Sequence, residues 1–174
     1  MVVAVNGEHQ QSFSEPYRAS LLNFMAEYPG IFPIVFPQFR RLSKLWNSII
    51  IHSSSDHILL LNDDVTIKQK KFLNEVKKAI YRNKGRSFTI NHSWSHFLLQ
   101  REEIDTLGYF DERLLGIGEE DGDMTRRYLA QYGEPIADMH ISGIINHSDV
   151  TMAEKPLNIS CHSGGKYSLF NRQF

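Results

Sequence analysis

The sequence predicts an α/β domain with a largely parallel sheet. Three observations carry that prediction. Short apolar or β-branched runs alternate with stretches whose apolar residues recur at helical spacing, in the order βαβαβα before a mixed region. Glycine, proline and asparagine fall between these segments, where turns need them. The run His57–Leu61 is continuously apolar after its histidine, the pattern of a strand covered on both faces of a parallel sheet.

Val2–Val5 is the first strand, closed by the turn pair Asn6-Gly7. Ser14 is placed to cap the next helix, with Pro16 in its first turn. Tyr17, Leu21, Phe24, Met25 and Tyr28 then recur at helical spacing, and Gly30 stops the helix. Ile31–Phe36 reads as a second strand whose hydrogen bonding Pro33 leaves incomplete. Leu42, Leu45, Trp46, Ile49 and Ile50 make one face of a second helix. After the strand His57–Leu61, Thr66-Ile-Lys-Gln69 matches a capping box, and Phe72, Leu73, Val76 and Ile80 form the stripe of a helix ended by Gly85.

Phe88–Ile90 and Trp94–Leu99 are the next strands. Arg101–Leu107 is a short helix closed by Gly108. A loop from Tyr109 to Gly118 leads into a helix over Glu119–Tyr132, with Met124, Tyr128, Leu129 and Tyr132 on its buried side and Gly133 as its stop. His140–Asn146 is a last strand, and residues 148–174 read as loop or tail. All of this fits a single domain over residues 1–174.

Composition narrows the functional classes. Hydrophobic residues make up 41% of the 174, enough for a real core, so wholesale disorder is excluded. Nineteen Lys+Arg against twenty Asp+Glu give a formal charge of −1, with no global pull toward nucleic acid or an anionic membrane. The single cysteine, Cys161, excludes an internal disulfide framework and a cysteine-rich zinc site. Apolar runs such as Ile58–Leu61 fall far short of the roughly 20 residues that span a bilayer. Met1–Gly7 lacks both a basic stretch and a long apolar core, so no signal peptide is expected and a cytoplasmic protein is the default.

Ligands of open α/β sheets bind beyond the carboxyl ends of strands. Asn62-Asp63-Asp64 follows the most buried-looking strand, and its carboxylates are hard ligands suited to a Mg²⁺ or Mn²⁺ ion carrying a diphosphate. An acidic turn is the plainer reading, since Asn and Asp are ordinary turn formers. The second cluster is Glu119-Glu120-Asp121-Gly122-Asp123, at a helix start after Gly116-Ile117-Gly118. Crowding raises a carboxylate's pKa toward that of a general base, although acidic first turns also stabilise helices without any catalytic part. His147, after the last strand, is placed to complete a Mn²⁺ site begun by Asp64, with His140 and His162 as competitors. Trp94 either stacks on a sugar or fills core, with core favoured.

These elements, in this order, resemble the GT-A-fold glycosyltransferases, particularly the family-2-like enzymes and the catalytic half of the β-galactosyltransferases. Leu59–Val65 is similar to their D-x-D segment, with Asn62 in place of the first acid. Tyr109-Phe110-Asp111-Glu112, followed by Gly118–Asp123 and Arg126, is similar to their acceptor-side motif. Ser43–Asn47 looks like the helix before the D-x-D strand, which often carries an asparagine there. The likeness covers most of residues 1–147.

The resemblance implies a three-layer fold with a mostly parallel mixed sheet, a nucleotide-sugar donor (UDP-linked), and a carbohydrate or glycoconjugate acceptor. It also implies Mn²⁺ or Mg²⁺ as cofactor. Asp64 and His147 would hold the metal; Asp63, Asp64, Asn6 and Asn47 would hold the nucleotide. Asp121 would be the general base of an inverting displacement, and Glu120 would orient acceptor or donor sugar. The family usually carries one more βα unit before the strand assigned to Val2–Val5, so that unit is expected to be missing here, or its successors compressed. The alternative is a degenerate module that binds sugar or nucleotide without turnover. A nucleotidyltransferase would need a glycine-rich phosphate loop, for which Asn6-Gly7-Glu8 is too slight. No nucleic-acid partner and no transmembrane segment are expected, while a homo-oligomer is allowed.

Overall fold

The computed structural model describes residues 1–8, 13–114 and 118–147. The chain is α/β with mixed sheets, and it divides into two compact units, Met1–Ser54 and the remainder from Ser55.

In the first unit, β1 (Val2–Val5) pairs in parallel with β2 (Phe32–Val35), Val2 opposite Phe32 and Val5 opposite Val35. The crossover is α1 (Glu15–Ala26), whose N-cap Ser14 accepts a hydrogen bond from the Tyr17 amide and whose first turn holds Pro16. Its apolar residues do not make a buried stripe: Met25 is buried, whereas Tyr17 is 70% exposed and Phe24 and Tyr28 are exposed too. The Phe32 amide donates to the Met1 carbonyl and the Phe36 amide to Val5, so alternation turns Pro33 to the outer edge of β2. There its missing N–H costs no bond to β1, contrary to the expectation from sequence. α2 (Leu42–His52) follows and packs on β1, burying Trp46, Asn47 and Ile50.

The second unit is built on a four-stranded sheet in the order β3-β6-β5-β7, formed by β3 (His57–Leu61), β5 (Phe88–Ile90), β6 (Ser93–Gln100) and β7 (Ala137–Met139). β3 and β5 both run antiparallel to β6, and β5 runs parallel to β7. The sheet is therefore mixed but not mostly parallel. The reason lies in Asn91 and His92, both at positive φ, which join β5 to β6 in a tight turn that only an antiparallel pair accepts. Only Ile58 and Leu60 of β3 are buried; Leu61 is exposed.

β4 (Val65–Ile67) leaves this sheet and pairs antiparallel with β8 (Ile144–Asn146), Val65 opposite Asn146 and Ile67 opposite Ile144. Thr66 thus lies in a strand and caps no helix. The helix that follows, α3 (Phe72–Arg82), starts at Lys71 without a side-chain cap. Its Phe72, Val76 and Ala79 pack with Phe88, Ile90, Leu98 and Ile141 to make the core on one side of the sheet. Of the expected strand His140–Asn146 only β8, Ile144–Asn146, is strand; β7 ends before it at Met139, and between the two the chain turns at Gly143 (φ +82°), where a Cβ would lie 2.5 Å from the Gln69 side chain.

α4 (Arg101–Leu107) and α5 (Glu119–Tyr132) complete the unit, with Gly108, Gly118 and Gly133 at positive φ beside their ends. α5 buries Met124 and Tyr128 but leaves Leu129 47% exposed. Among the described residues, no helix is long and apolar enough to cross a membrane.

Candidate functional site

The acidic segment 62–64 bridges two sheets, and hydrogen bonds at both ends fix it. The Asn62 amide donates to the Ser95 carbonyl at 2.8 Å, prolonging the β3–β6 pairing. Two residues on, the His147 amide donates to the Asp64 carbonyl at 2.8 Å, prolonging the β4–β8 pairing. Asp63, between these anchors, is exposed, and Asp64 is half-buried.

The same ladder sets the side chains. Successive residues of a strand point to opposite faces, so Asp64 and Thr66 share one face of β4. His147 stands opposite Asp64 in the continued register and on that same face. Its ring reaches Thr66: Nε2 and Thr66 Oγ1 are 2.8 Å apart. Asn146 points the other way and is buried, with its Nδ2 donating to Ser93 Oγ at 3.2 Å. One strand end is therefore pinned inward by an amide while it presents an imidazole outward beside a carboxylate. His140 is exposed at the end of β7, and His162 lies outside the described residues.

Oxygen and imidazole donors suit Mn²⁺. Asp64 and His147, opposite each other on neighbouring segments, are one oxygen and one imidazole donor of the kind such an ion takes. No group of three or more His, Cys, Asp or Glu able to hold a metal occurs among the described residues. Glu120 and Asp121 thus do not join Asp64 and His147 in one metal cluster.

Those two acids are positioned by α5, whose N-cap Gly118 sits at φ +83° and supplies no side-chain cap. Glu119 and Glu120 are buried and Asp121 is half-buried. Asp121 Oδ1 accepts from the Gly122 amide at 2.7 Å, and the Asp121 carbonyl accepts from Thr125 Oγ1. Burial pushes the Glu120 carboxyl above the usual glutamate range, and the charge of Asp121 adds to this, against the backbone amides at the helix start. The raised carboxyl of this cluster is that of Glu120, and burial more than crowding raises it. Gly116 and Ile117 of the glycine-rich approach lie outside the described residues.

The loop before α5 is held by an arginine, one position beyond the one the family likeness singles out. Arg127 donates from Nε to Asp123 at 2.8 Å, and from Nη1 and Nη2 to the carbonyls of Leu107, Gly108 and Tyr109. Arg126 is exposed. Trp94 is half-buried, with its ring 4.9 Å from Phe97 and 6.1 Å from Phe110, as a core residue would be.

Asn6 and Asn47 belong to the first unit. Asn6 Oδ1 accepts from the Gly7 and Arg40 amides, and its Nδ2 donates to the Arg40 carbonyl at 2.8 Å. Both ends of this amide therefore tie two chain segments together, a structural task beside the nucleotide contact expected of it. Asn47 is buried within α2.

A second polar cluster escaped the sequence reading. Buried Glu103 accepts from Arg86 Nε at 2.9 Å, the Ser87 amide at 2.7 Å and Tyr128 Oη at 2.9 Å. Burial raises its pKa, but these donors outweigh burial and hold the carboxyl below the usual range. Arg86 also pairs with Glu134 and lies over the rings of Tyr128 and Tyr132. The cluster borders a cavity of about 400 Å³ that includes His57, Gln100 and Thr106. This cavity is at the amino end of β3, away from Asp63 and Asp64. Only the basic residues Arg82, Lys84 and Arg86 mark this stretch in the sequence, and they do not disclose pairings 17 and 48 residues away.

No family model matches the chain, and no curated protein matches it in sequence.

Proposed function

We propose that this chain is a metal-assisted glycosyltransferase of the GT-A type, moving a sugar from a UDP-linked donor to an acceptor hydroxyl. The observation that supports the reading is the β4–β8 ladder, which sets His147 beside Asp64 just past the carboxyl end of β3. A bound Mn²⁺ or Mg²⁺ supplies charge neutralisation for the departing diphosphate. Asp64 and His147 hold it, and Asp63, exposed at the turn, faces the nucleotide.

Asp121 takes the proton of the acceptor hydroxyl. The acceptor oxygen forms its bond to the anomeric carbon as the bond to the diphosphate breaks, and the leaving nucleotide keeps that electron pair. Glu120, buried next to Asp121, orients the sugar. Binding without turnover is the second reading, and it is favoured by the acids of α5 forming no common metal-holding group with Asp64 and His147 among the described residues.

UDP titration with and without Mn²⁺, followed by a donor-hydrolysis assay, tests the proposal. Metal-dependent UDP binding with donor turnover is expected. Binding without turnover supports the module, and no binding overturns both.

A further inference from the structure

We propose that Thr66 is a positioning residue that fixes the ring of His147 so that Nδ1, not Nε2, is the nitrogen offered to a divalent cation. The inference rests on the metal site proposed above and names the atom through which it works.

Thr66 Oγ1 and His147 Nε2 are 2.8 Å apart, across 81 residues of chain. A neutral imidazole carries one N–H and one lone pair. If the threonine hydroxyl donated to Nε2, the proton would sit on Nδ1 and neither nitrogen would have a lone pair for a metal. If Nε2–H donates to Thr66 Oγ1, Nδ1 keeps its lone pair. Metal-bound histidines as a rule donate their other N–H to an oxygen partner, which sets tautomer and ring orientation. Thr66 fills that place because the strand alternation that brings Asp64 to the face of His147 brings Thr66 there too. The hydroxyl is held on a strand whose backbone is paired with Ile145.

The experiment uses the whole chain with ¹⁵N-labelled histidine, comparing wild type, Thr66→Val and Thr66→Ser. Thr66→Val keeps the shape and removes the oxygen; Thr66→Ser keeps the oxygen. Long-range ¹H–¹⁵N spectra report which ring nitrogen carries the proton, and Mn²⁺ titration reports affinity and which nitrogen the ion broadens first. In wild type, the His147 signal shows protonated Nε2 and Mn²⁺ acts through Nδ1. Thr66→Val weakens Mn²⁺ about 10- to 100-fold and mixes the tautomers, and Thr66→Ser restores both. If wild type binds Mn²⁺ through Nε2, or Thr66→Val binds it as tightly as wild type, the role of Thr66 is overturned while the metal site stands. If wild type binds no Mn²⁺, the metal site itself is overturned and the positioning role goes with it.

Discussion

The main-chain N–H of His147 donates to the carbonyl of Asp64 at 2.8 Å. This single bond brings a histidine near the end of the described chain to the acidic turn after β3, and it places both side chains on one face. Replacing Asp64 with Asn and, separately, His147 with Ala is expected to weaken Mn²⁺ binding at least about tenfold each, or about 1.4 kcal/mol. Because the backbone ladder is untouched, thermal unfolding should stay near that of wild type. Titration calorimetry and a melting curve on each variant check this.

Glu120 gives a pH-dependent signature. Its folded-state pKa lies above its ordinary value, so the fold favours the protonated form. That contribution is full below the ordinary glutamate pKa and is lost as pH rises through the raised value. Glu120→Gln is therefore expected to be more stable than wild type at neutral pH. The difference should vanish on acidification. Urea melts from pH 4 to 8 measure it, and an equal gain at every pH would contradict the burial of that charge.

Glu103 behaves in the opposite sense. Its pKa is held below the usual range, so its ionised form contributes stability above the ordinary glutamate value, lost as pH falls through the folded value. Glu103→Ala leaves Arg86, the Ser87 amide and Tyr128 without their shared acceptor, at a cost of about 3 kcal/mol. Chemical denaturation at pH 7 and again under acid tests this, with a smaller loss expected in acid.

Gly7 is a steric prediction for the first unit. A Cβ there would lie 2.4 Å from the backbone of Gln38 and 2.5 Å from the Phe36 carbonyl oxygen. Backbone cannot step aside as a side chain can, so Gly7→Ala is expected to cost about 2–3 kcal/mol. Hydrogen exchange at β1 and β2 should accelerate, while the amides of β5 and β6 serve as the reference.

Much of the helical content was legible in the sequence. The α5 boundaries, Glu119–Tyr132, follow from Gly118 and Gly133, and the Ser14 cap and α4 follow from equally local signals. Strand direction was not legible, because it depends on the turn at Asn91 and His92, where neither residue is glycine. Thr66 satisfied a capping pattern locally, yet three residues of β4 gain more from pairing with Ile144–Asn146, a partner no local window contains. Asp64 and His147 are far apart in the chain, and their juxtaposition depends on that same pairing. The Glu103 cluster joins four chain segments and left no periodic trace.

The Thr66–His147 contact also has a consequence for folding. Closing a loop of 81 residues is entropically costly and is expected to follow formation of the local helices and the β5–β6 hairpin. The face that carries Asp64, Thr66 and His147 is then among the last features to assemble. A ligand bound there recognises the finished fold alone, so it stabilises the native state without accelerating the early steps, and its binding amplitude during refolding times the final closure.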